Sequence, residues 1–333
     1  MSVGTQHNGR GSTTSTMDGD TLAVLETADR IRSTIETVIE GKSGVVRIAL
    51  TVLLAEGHLL IEDIPGVGKT MLAKALGRAI DCSVTRIQFT PDLLPSDITG
   101  VNAYHQRSGE FEFKPGPVFA NVVVGDEINR ASPKTQSALL ECMEEGQVSV
   151  DGATRELERP FMVVATQNPI DMEGTYPLPE AQRDRFMARI AVGYPQPQAE
   201  LDMINSHGAR SPLEELRPVA TVADVRTMVE QVRSIHVAPA IQRYAVDLIS
   251  ATRTSPALRL GASPRATLHL VRAARAYAAL HSRDYVLPDD VQDLAVPILA
   301  HRLLPSPEAQ MEQRSPEQVV SELVARLPVA NRR

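Results

Sequence analysis

The sequence contains no tryptophan, only two cysteines and no long apolar run. A membrane-spanning helix needs about 18 consecutive apolar residues, so none is predicted. Cys82 and Cys142 lie far apart and have no ligand-like spacing to each other or to a histidine cluster. Two buried thiols in a reducing compartment are therefore favoured over a disulfide or a metal site, and the cytoplasm is the expected location.

Basic side chains are outnumbered by acidic ones, with 34 Lys and Arg against 41 Asp and Glu and a net charge of -7. A protein that wraps nucleic acid through a large basic face has the opposite balance, which disfavours that class. The segment 1–20 lacks the basic-then-apolar order of a secretory signal. It is polar and repeats Gly, Ser and Thr, so we predict a disordered N-terminal tail.

A chain of 333 residues predicts about two domains. Residues 21–193 alternate helical segments with short β-branched runs, which predicts an α/β domain whose parallel sheet is buried on both faces. Residues 194–235 begin with a Pro-rich break and are predicted as a linker and lid entry. Residues 236–333 are predicted as a smaller all-helical domain, because apolar residues recur at helical spacing, as in Ile241, Tyr244, Ala245, Leu248 and Ile249.

Four apolar runs are predicted as strands of the sheet: LLIED, VTRIQF, VVVGDE and FMVVATQNP. Two further segments, at about 101–114 and 147–157, are predicted as β-hairpins that turn at Ser-Gly and at Asp-Gly. A parallel sheet with helical crossovers does not need hairpins, so we interpret both as insertions.

The stretch DIPGVGKTM joins the first predicted strand to a helical segment. Gly66 and Gly68 let successive backbone N–H groups point at nucleotide phosphates, and the following helix adds its positive end. Lys69 reaches the phosphate oxygens, and the Thr70 hydroxyl is placed to bind Mg²⁺. Asp63 stands where this motif usually has Gly, so its carboxylate must point away from the phosphates. The predicted phosphate loop comprises Pro65, Gly66, Val67, Gly68, Lys69, Thr70 and Met71.

Two later predicted strands end in polar residues that suit hydrolysis of a nucleoside triphosphate. VVVGDE ends in Asp126, which is placed to hold the Mg²⁺ shell, and in Glu127, which suits polarising a water for attack on the γ-phosphate. VVATQNP ends in Asn168, a neutral amide that can orient this water without competing for the metal.

The phosphate loop, DEINRASPKTQSALLECMEEGQVSVDG, ATQNPIDMEGTYPLPEAQRDRF and GASPRATL together resemble the MoxR family of AAA+ ATPases over roughly residues 37–304. The resemblance implies an AAA+ α/β ATPase core with hairpin insertions, followed by a helical lid, with nucleotide between them. It implies ATP and Mg²⁺ as cofactors and a homo-oligomeric ring, usually a hexamer. It also implies a chaperone-like remodeller that matures or activates client protein complexes, including metal-cofactor insertion, often with a von Willebrand factor A domain partner.

The resemblance further assigns roles to single residues. Asn168 matches the first sensor of the family and Arg265, in SPRA, matches the second. Arg185, in DRF, matches the arginine finger that one subunit supplies to the ATP of its neighbour. Arg183 stands where the family more often has an apolar residue, so the sequence leaves two candidate fingers. Arg130, in EINR, is a further candidate for a subunit interface.

Other functions stay open at this stage. An AAA+ motor acting on nucleic acid is one alternative, although the acidic net charge and the two cations of the first hairpin segment, Arg107 and Lys114, disfavour it. A chelatase-type ATPase subunit is another, and an ATP-binding scaffold without hydrolysis a third. The histidines do not pair at metal spacing with cysteines or carboxylates, and most of them are predicted to lie at the surface or at interfaces.

Overall fold

The computed structural model describes residues 19–64, 66–107, 109–168, 175–195, 197–198, 201 and 212–328. The predicted tail 1–20 therefore lies outside the described residues except at 19–20, where the first helix begins. The helices before residue 212 are α1 Gly19–Glu36, α2 Ser43–Leu54, α3 Lys69–Ala79, α4 Pro95–Thr99, α5 Pro133–Glu145 and α6 Glu180–Arg183.

Five parallel strands form the central sheet, in the order β2-β5-β8-β1-β9. They are β1 Leu59–Glu62, β2 Val84–Gln88, β5 Val122–Asp126, β8 Met162–Gln167 and β9 Ala188–Ile190. The four strands predicted from apolar runs are confirmed, whereas the three-residue edge strand β9 was missed. Because all five strands run the same way, the sheet has one edge where strands begin and one where they end. We call these the amino edge and the carboxyl edge.

Both predicted hairpins are confirmed as antiparallel pairs outside this sheet. The first consists of β3 Gly100–His105 and β4 Glu110–Pro115, and the second of β6 Gln147–Val150 and β7 Ala153–Glu156. Side chains connect the two hairpins: Asn102 of β3 donates to Asp151, in the turn of the second hairpin, at 2.8 Å. The Arg155 guanidinium of β7 lies 3.8 Å from the centre of the Phe113 ring of β4. The two insertions therefore pack together as one projecting layer.

The C-terminal part of the described chain is predominantly helical, as predicted. Its elements are α7 Pro212–Glu215, α8 Val222–Ser234, α9 Pro239–Thr254, β10 Leu258–Leu260, α10 Pro264–Leu280, α11 Pro288–Leu299, β11 Leu304–Pro305, α12 Pro307–Met311 and α13 Pro316–Arg326. The segment 194–235, predicted as a linker and lid entry, contains α7 and α8. The predicted apolar stripe from Ile241 to Ile249 is buried.

The helical part shares its hydrophobic core with the α/β part. One cluster of buried residues runs from α1 and α2 through one face of the sheet into α8, α9, α10 and α11. A second cluster fills the opposite face, against α5 and the hairpins. The lid therefore packs as an integral layer on the first two helices. None of the described helices is long and apolar enough to cross a membrane.

Candidate active site

The phosphate loop lies at the carboxyl edge, between β1 and α3. Gly66 and Gly68 have φ of +85° and +89°, a conformation that favours glycine. A Cβ built on Gly66 would meet no atom within 4 Å, so open space adjoins the loop at this residue. Gly68 also caps the N-terminus of α3, whose backbone N–H groups point into this space. Pro65 lies outside the described residues.

Two side chains at the loop, Lys69 and Asp63, are held by backbone groups close to the ends of β1, β8 and β9. Lys69 donates from Nζ to the Asp63 carbonyl at 2.5 Å and to the Gln167 carbonyl at 3.4 Å. The Asp63 carboxylate turns the other way, accepting from the backbone N–H of Ile64 at 2.8 Å and of Gly193 at 2.6 Å. The Asp63 carboxylate is thus occupied by backbone N–H groups, and its direction relative to bound phosphates stays a prediction.

Thr70 and Asp126 form an oxygen-rich corner beside the loop. Thr70 Oγ1 lies 3.1 Å from each carboxylate oxygen of Asp126. Asp126 is 5% exposed and also accepts from Arg86 Nε at 2.6 Å and Thr166 Oγ1 at 3.2 Å. A hydroxyl and a carboxylate are oxygen ligands that Mg²⁺ takes in proteins, so these residues fit the predicted ion.

Glu127 follows Asp126 in a left-handed backbone conformation, with φ of +56°. Its backbone N–H donates to Thr166 Oγ1 at 3.0 Å. Its carboxylate accepts from Gln88 Nε2 at 3.0 Å and pairs with Arg130 Nε at 3.0 Å. Arg130, a candidate interface residue from the sequence, thus contacts the predicted general base of its own chain.

Asn168 directly follows β8, which lies between β1 and β5 in the sheet. This order places the buried amide between the phosphate loop and the strand-end acids. Sequence reasoning missed Arg86, Gln88 and Thr166, although polar side chains within or at the ends of predicted strands gave a signal. Their partners, Asp126 and Glu127, could not be predicted, because the order of the strands in the sheet does not follow from the sequence.

The arginines predicted to contact phosphate lie at the opposite, amino edge. Arg185 pairs through Nη2 with Glu144 Oε2 at 3.1 Å, and Arg265 pairs with the other oxygen of the same carboxylate. Glu144 is next to Met143, whose carbonyl lies 3.0 Å from His58 Nε2, and His58 immediately precedes β1. The four residues of β1 span about 13 Å between the two edges. Neither arginine therefore adjoins the phosphate loop of its own chain.

The structure separates the two candidate fingers. Arg185 lines a cavity of about 500 Å³ at the amino edge together with Arg265 and Glu144. Arg183 lines a different cavity, of about 410 Å³, with Glu62 and Arg189. Of the two, Arg185 therefore lines the same cavity as Arg265, and Arg183 does not.

Known proteins resemble this chain in both sequence and fold. Residues 58–188 match the family model described as "ATPase family associated with various cellular activities (AAA)", and residues 250–323 match the AAA lid domain. The chain is 50% identical to YeaC of Bacillus subtilis, over 89% of this chain and 92% of that protein. It is 41% identical to Chaperone MoxR1 of Mycobacterium tuberculosis, over 91% and 82% respectively. A crystal structure from Cytophaga hutchinsonii matches with a TM-score of 0.87 and 37% identity, over 94% of this chain and 97% of that one.

A parallel sheet with a phosphate loop and acids at its carboxyl edge, followed by a helical lid, defines an AAA+ ATPase. The likeness to MoxR1 over most of both chains narrows that class. The chain belongs to the MoxR family of AAA+ ATPases and is an ATP hydrolase.

Proposed function

We propose that the chain works as a ring of identical subunits in which each ATP site is completed by a neighbour. The observation that carries this proposal is the separation of the two halves of the site. The phosphate loop and strand-end acids lie at the carboxyl edge, whereas Arg185 and Arg265 lie at the amino edge. Arginines that far from their own loop serve a nucleotide only when it is bound to another subunit. This favours action in trans for Arg265, which the sequence left open.

The residues of one subunit then divide the reaction as follows. Lys69 and the backbone N–H groups of the phosphate loop, including Val67 and Met71, hold the phosphates. Thr70 and Asp126 would hold Mg²⁺, which supplies charge neutralisation when bound. Glu127 accepts the proton of the attacking water, and Asn168 orients that water.

The neighbour supplies the two guanidinium groups. Arg185 and Arg265 neutralise charge that develops on the transferring phosphoryl group, a contribution worth about 10³–10⁵ in rate in related NTPases. In the isolated chain Glu144 holds both side chains on one carboxylate. Arginine binds phosphate and carboxylate groups in the same bidentate geometry. The side chains of Arg185 and Arg265 are therefore already positioned to bind one shared anion.

We further propose a hexameric, cytoplasmic ring that remodels a client protein complex, with a von Willebrand factor A domain protein as partner. Support comes from the chaperone named among the relatives and from the first hairpin. There the rings of Tyr104 and Phe111 are in contact, tilted by 60° with centroids 5.4 Å apart, yet the two residues are 57% and 72% exposed. Their neighbours Glu110 and Glu112 are exposed too, which favours protein over nucleic acid at this surface.

Mixing two inactive variants tests the proposal. Arg185→Ala keeps its own phosphate loop and should bind ATP but hydrolyse it poorly. Lys69→Ala should not bind ATP but still offers Arg185 to a neighbour. Hydrolysis should return in the mixture, and the rate per subunit should rise with protein concentration over the range in which oligomers form.

Co-assembly is checked by light scattering, and Arg183→Ala serves as the matched control because Arg183 lines the other cavity. The control should hydrolyse ATP without any partner variant. A mixture that co-assembles and stays inactive would contradict action of Arg185 in trans.

A further inference from the structure

Arg302 is a buried arginine of the lid, and its side chain binds residues 184–187, among which Arg185 lies. We call residues 184–187 the finger segment. It is 3% exposed and lies just after α11. Its guanidinium donates to the Asp184 carboxylate at 2.9 Å, to the Phe186 carbonyl at 2.6 Å and to the Met187 carbonyl at 3.3 Å. These contacts lie on both sides of Arg185 along the chain, so one side chain fixes the backbone from which Arg185 projects.

Asp184 extends the same contact to the helix that carries Arg265. Its two carboxylate oxygens each accept from Ser263 Oγ at 2.9 Å. Ser263 is the N-cap residue of α10, and Arg265 lies in the first turn of that helix. Asp184 also lies 3.7 Å from Arg265 Nη1. One carboxylate thus joins the finger segment of the core to the first turn of the lid helix.

Two histidines of the lid add further contacts here: one accepts from Arg302, and the other binds the backbone of Phe186. His269 Nδ1 lies 2.7 Å from Arg302 Nη2, so the guanidinium donates to an unprotonated ring nitrogen. Burial and the nearby Arg302 lower the pKa of His269 to about 2, which keeps this acceptor available. His301 Nε2 lies 3.1 Å from the Phe186 carbonyl. The lid therefore holds residues 184–187 by side chains from two of its elements.

We propose that Arg302 is the positioning residue that presents Arg185 and Arg265 as one unit to the ATP of the neighbouring subunit. The inference rests on the proposed action of these arginines in trans. Arg302 itself is too buried to touch that nucleotide, so it acts through Asp184 and the backbone of the finger segment. Its loss should therefore harm the subunit that donates the arginines and spare the subunit that binds the ATP.

The test uses the mixture of Lys69→Ala and Arg185→Ala chains, in which hydrolysis should return. Arg302→Lys is added to one of these two variants at a time. Lysine keeps the charge beside Asp184 but cannot reach the same set of acceptors. On the Lys69→Ala donor, Arg302→Lys should lower the restored ATPase rate about tenfold or more, because a misplacement of about 1 Å can cost roughly 100-fold. On the Arg185→Ala acceptor, the same substitution should leave the restored rate and the ATP affinity unchanged.

A matched control is Arg283→Lys, another lid arginine paired with a buried aspartate, at 2.5 Å from Asp290, but remote from residues 184–187. It should have no effect on either partner. Equal losses from Arg302→Lys on both partners would show a purely structural role, and no loss on the donor would equally overturn the inference. If Arg302→Lys does not fold by circular dichroism, Asp184→Asn probes the same contact from its other side, with the same two expectations.

The mixing experiment also distinguishes an error in the proposed function from an error in the role of Arg302. A parent mixture of Arg185→Ala with Lys69→Ala that remains inactive would overturn the proposed function, and this inference with it. A parent mixture that regains activity, combined with insensitivity to Arg302→Lys on the donor, would overturn only the positioning role.

Discussion

Gln88 donates a hydrogen bond from its side-chain amide to the carboxylate of Glu127, with Nε2 3.0 Å from Oε2. Arg130 pairs with the same oxygen, also at 3.0 Å. Two donors of the same chain therefore hold the proposed general base. Both hold the carboxylate in place, and both compete with the attacking water for Oε2.

Replacing Gln88 should release part of this restraint. We expect Gln88→Ala to raise the basal ATPase rate roughly two- to tenfold, because a hydrogen bond to a charged group is worth about 1.5–3 kcal/mol and Arg130 still holds Glu127. ATP affinity, measured by calorimetry, should be unchanged. Slower hydrolysis at the same affinity would show instead that Gln88 holds Glu127 in its working position.

Substitutions of the adjacent acids Asp126 and Glu127 should impair different steps, the first ATP binding with Mg²⁺ and the second hydrolysis. Asp126→Asn removes the carboxylate beside Thr70, so the gain in ATP affinity that Mg²⁺ provides over EDTA should shrink. Glu127→Gln keeps the side-chain shape but not the base, so ATP should bind normally while hydrolysis falls by about 10²–10⁴. Parent rates in both variants would exclude a catalytic role for either acid.

The site could be predicted from the sequence where one short segment carries all the information. The phosphate loop and the strand-end acids are of this kind, because a strand, its last residues and the next helix are contiguous. The pairing of Arg86 with Asp126 was not predictable in this way, since it depends on β2 lying next to β5. The location of Arg265 away from its own phosphate loop likewise depends on how the lid packs.

Burial was only partly predictable. The apolar stripe on α9 showed it directly, because its spacing matches the helical repeat. A lone histidine carries no such pattern, and the expectation of a surface or interface position is wrong for His58, which lies in the interior at 7% exposure. The buried ring is satisfied by two backbone groups, Val163 N–H and the Met143 carbonyl.

The shared core predicts how the chain unfolds. Leu270 lies on α10, is fully buried and belongs to the cluster that joins lid and sheet. Leu270→Ala should lower the free energy of unfolding by about 2–5 kcal/mol. Leu268, on the same helix, is 65% exposed, so Leu268→Ala should change it by less than about 0.5 kcal/mol. Separate lid and core transitions in urea unfolding would contradict a single core.

His58 should contribute to acid sensitivity. Burial lowers its pKa from 6.5 to about 4. Between these values the unfolded chain binds a proton at His58 that the folded chain does not, so the free energy of unfolding must fall as the pH falls. The loss attributable to this residue is at most about 3 kcal/mol. His269 acts in the same direction, with its pKa lowered to about 2 by burial and nearby arginines.

Urea unfolding of His58→Gln at pH 7, 6 and 5 measures this contribution. The variant should show a shallower decline of stability over that range than the parent, although His269 preserves part of the slope. The matched control is His105→Gln, at an exposed position of the first hairpin, which makes the same replacement outside the core. Identical slopes for His58→Gln and the parent would mean that folding does not change the protonation of His58 over this range, which contradicts the lowered pKa.

The placement of donor arginines and phosphate loop on opposite edges of one sheet restricts how identical subunits can associate. On the proposed function they join head to tail, because the two surfaces that meet are different. In an open row of any length, the ATP site at one end receives no arginines from a neighbour. The arginine pair at the other end has no ATP to contact. Closure of the row adds a working site without adding a subunit. The ATPase rate per subunit would thus report directly on whether the circle is complete.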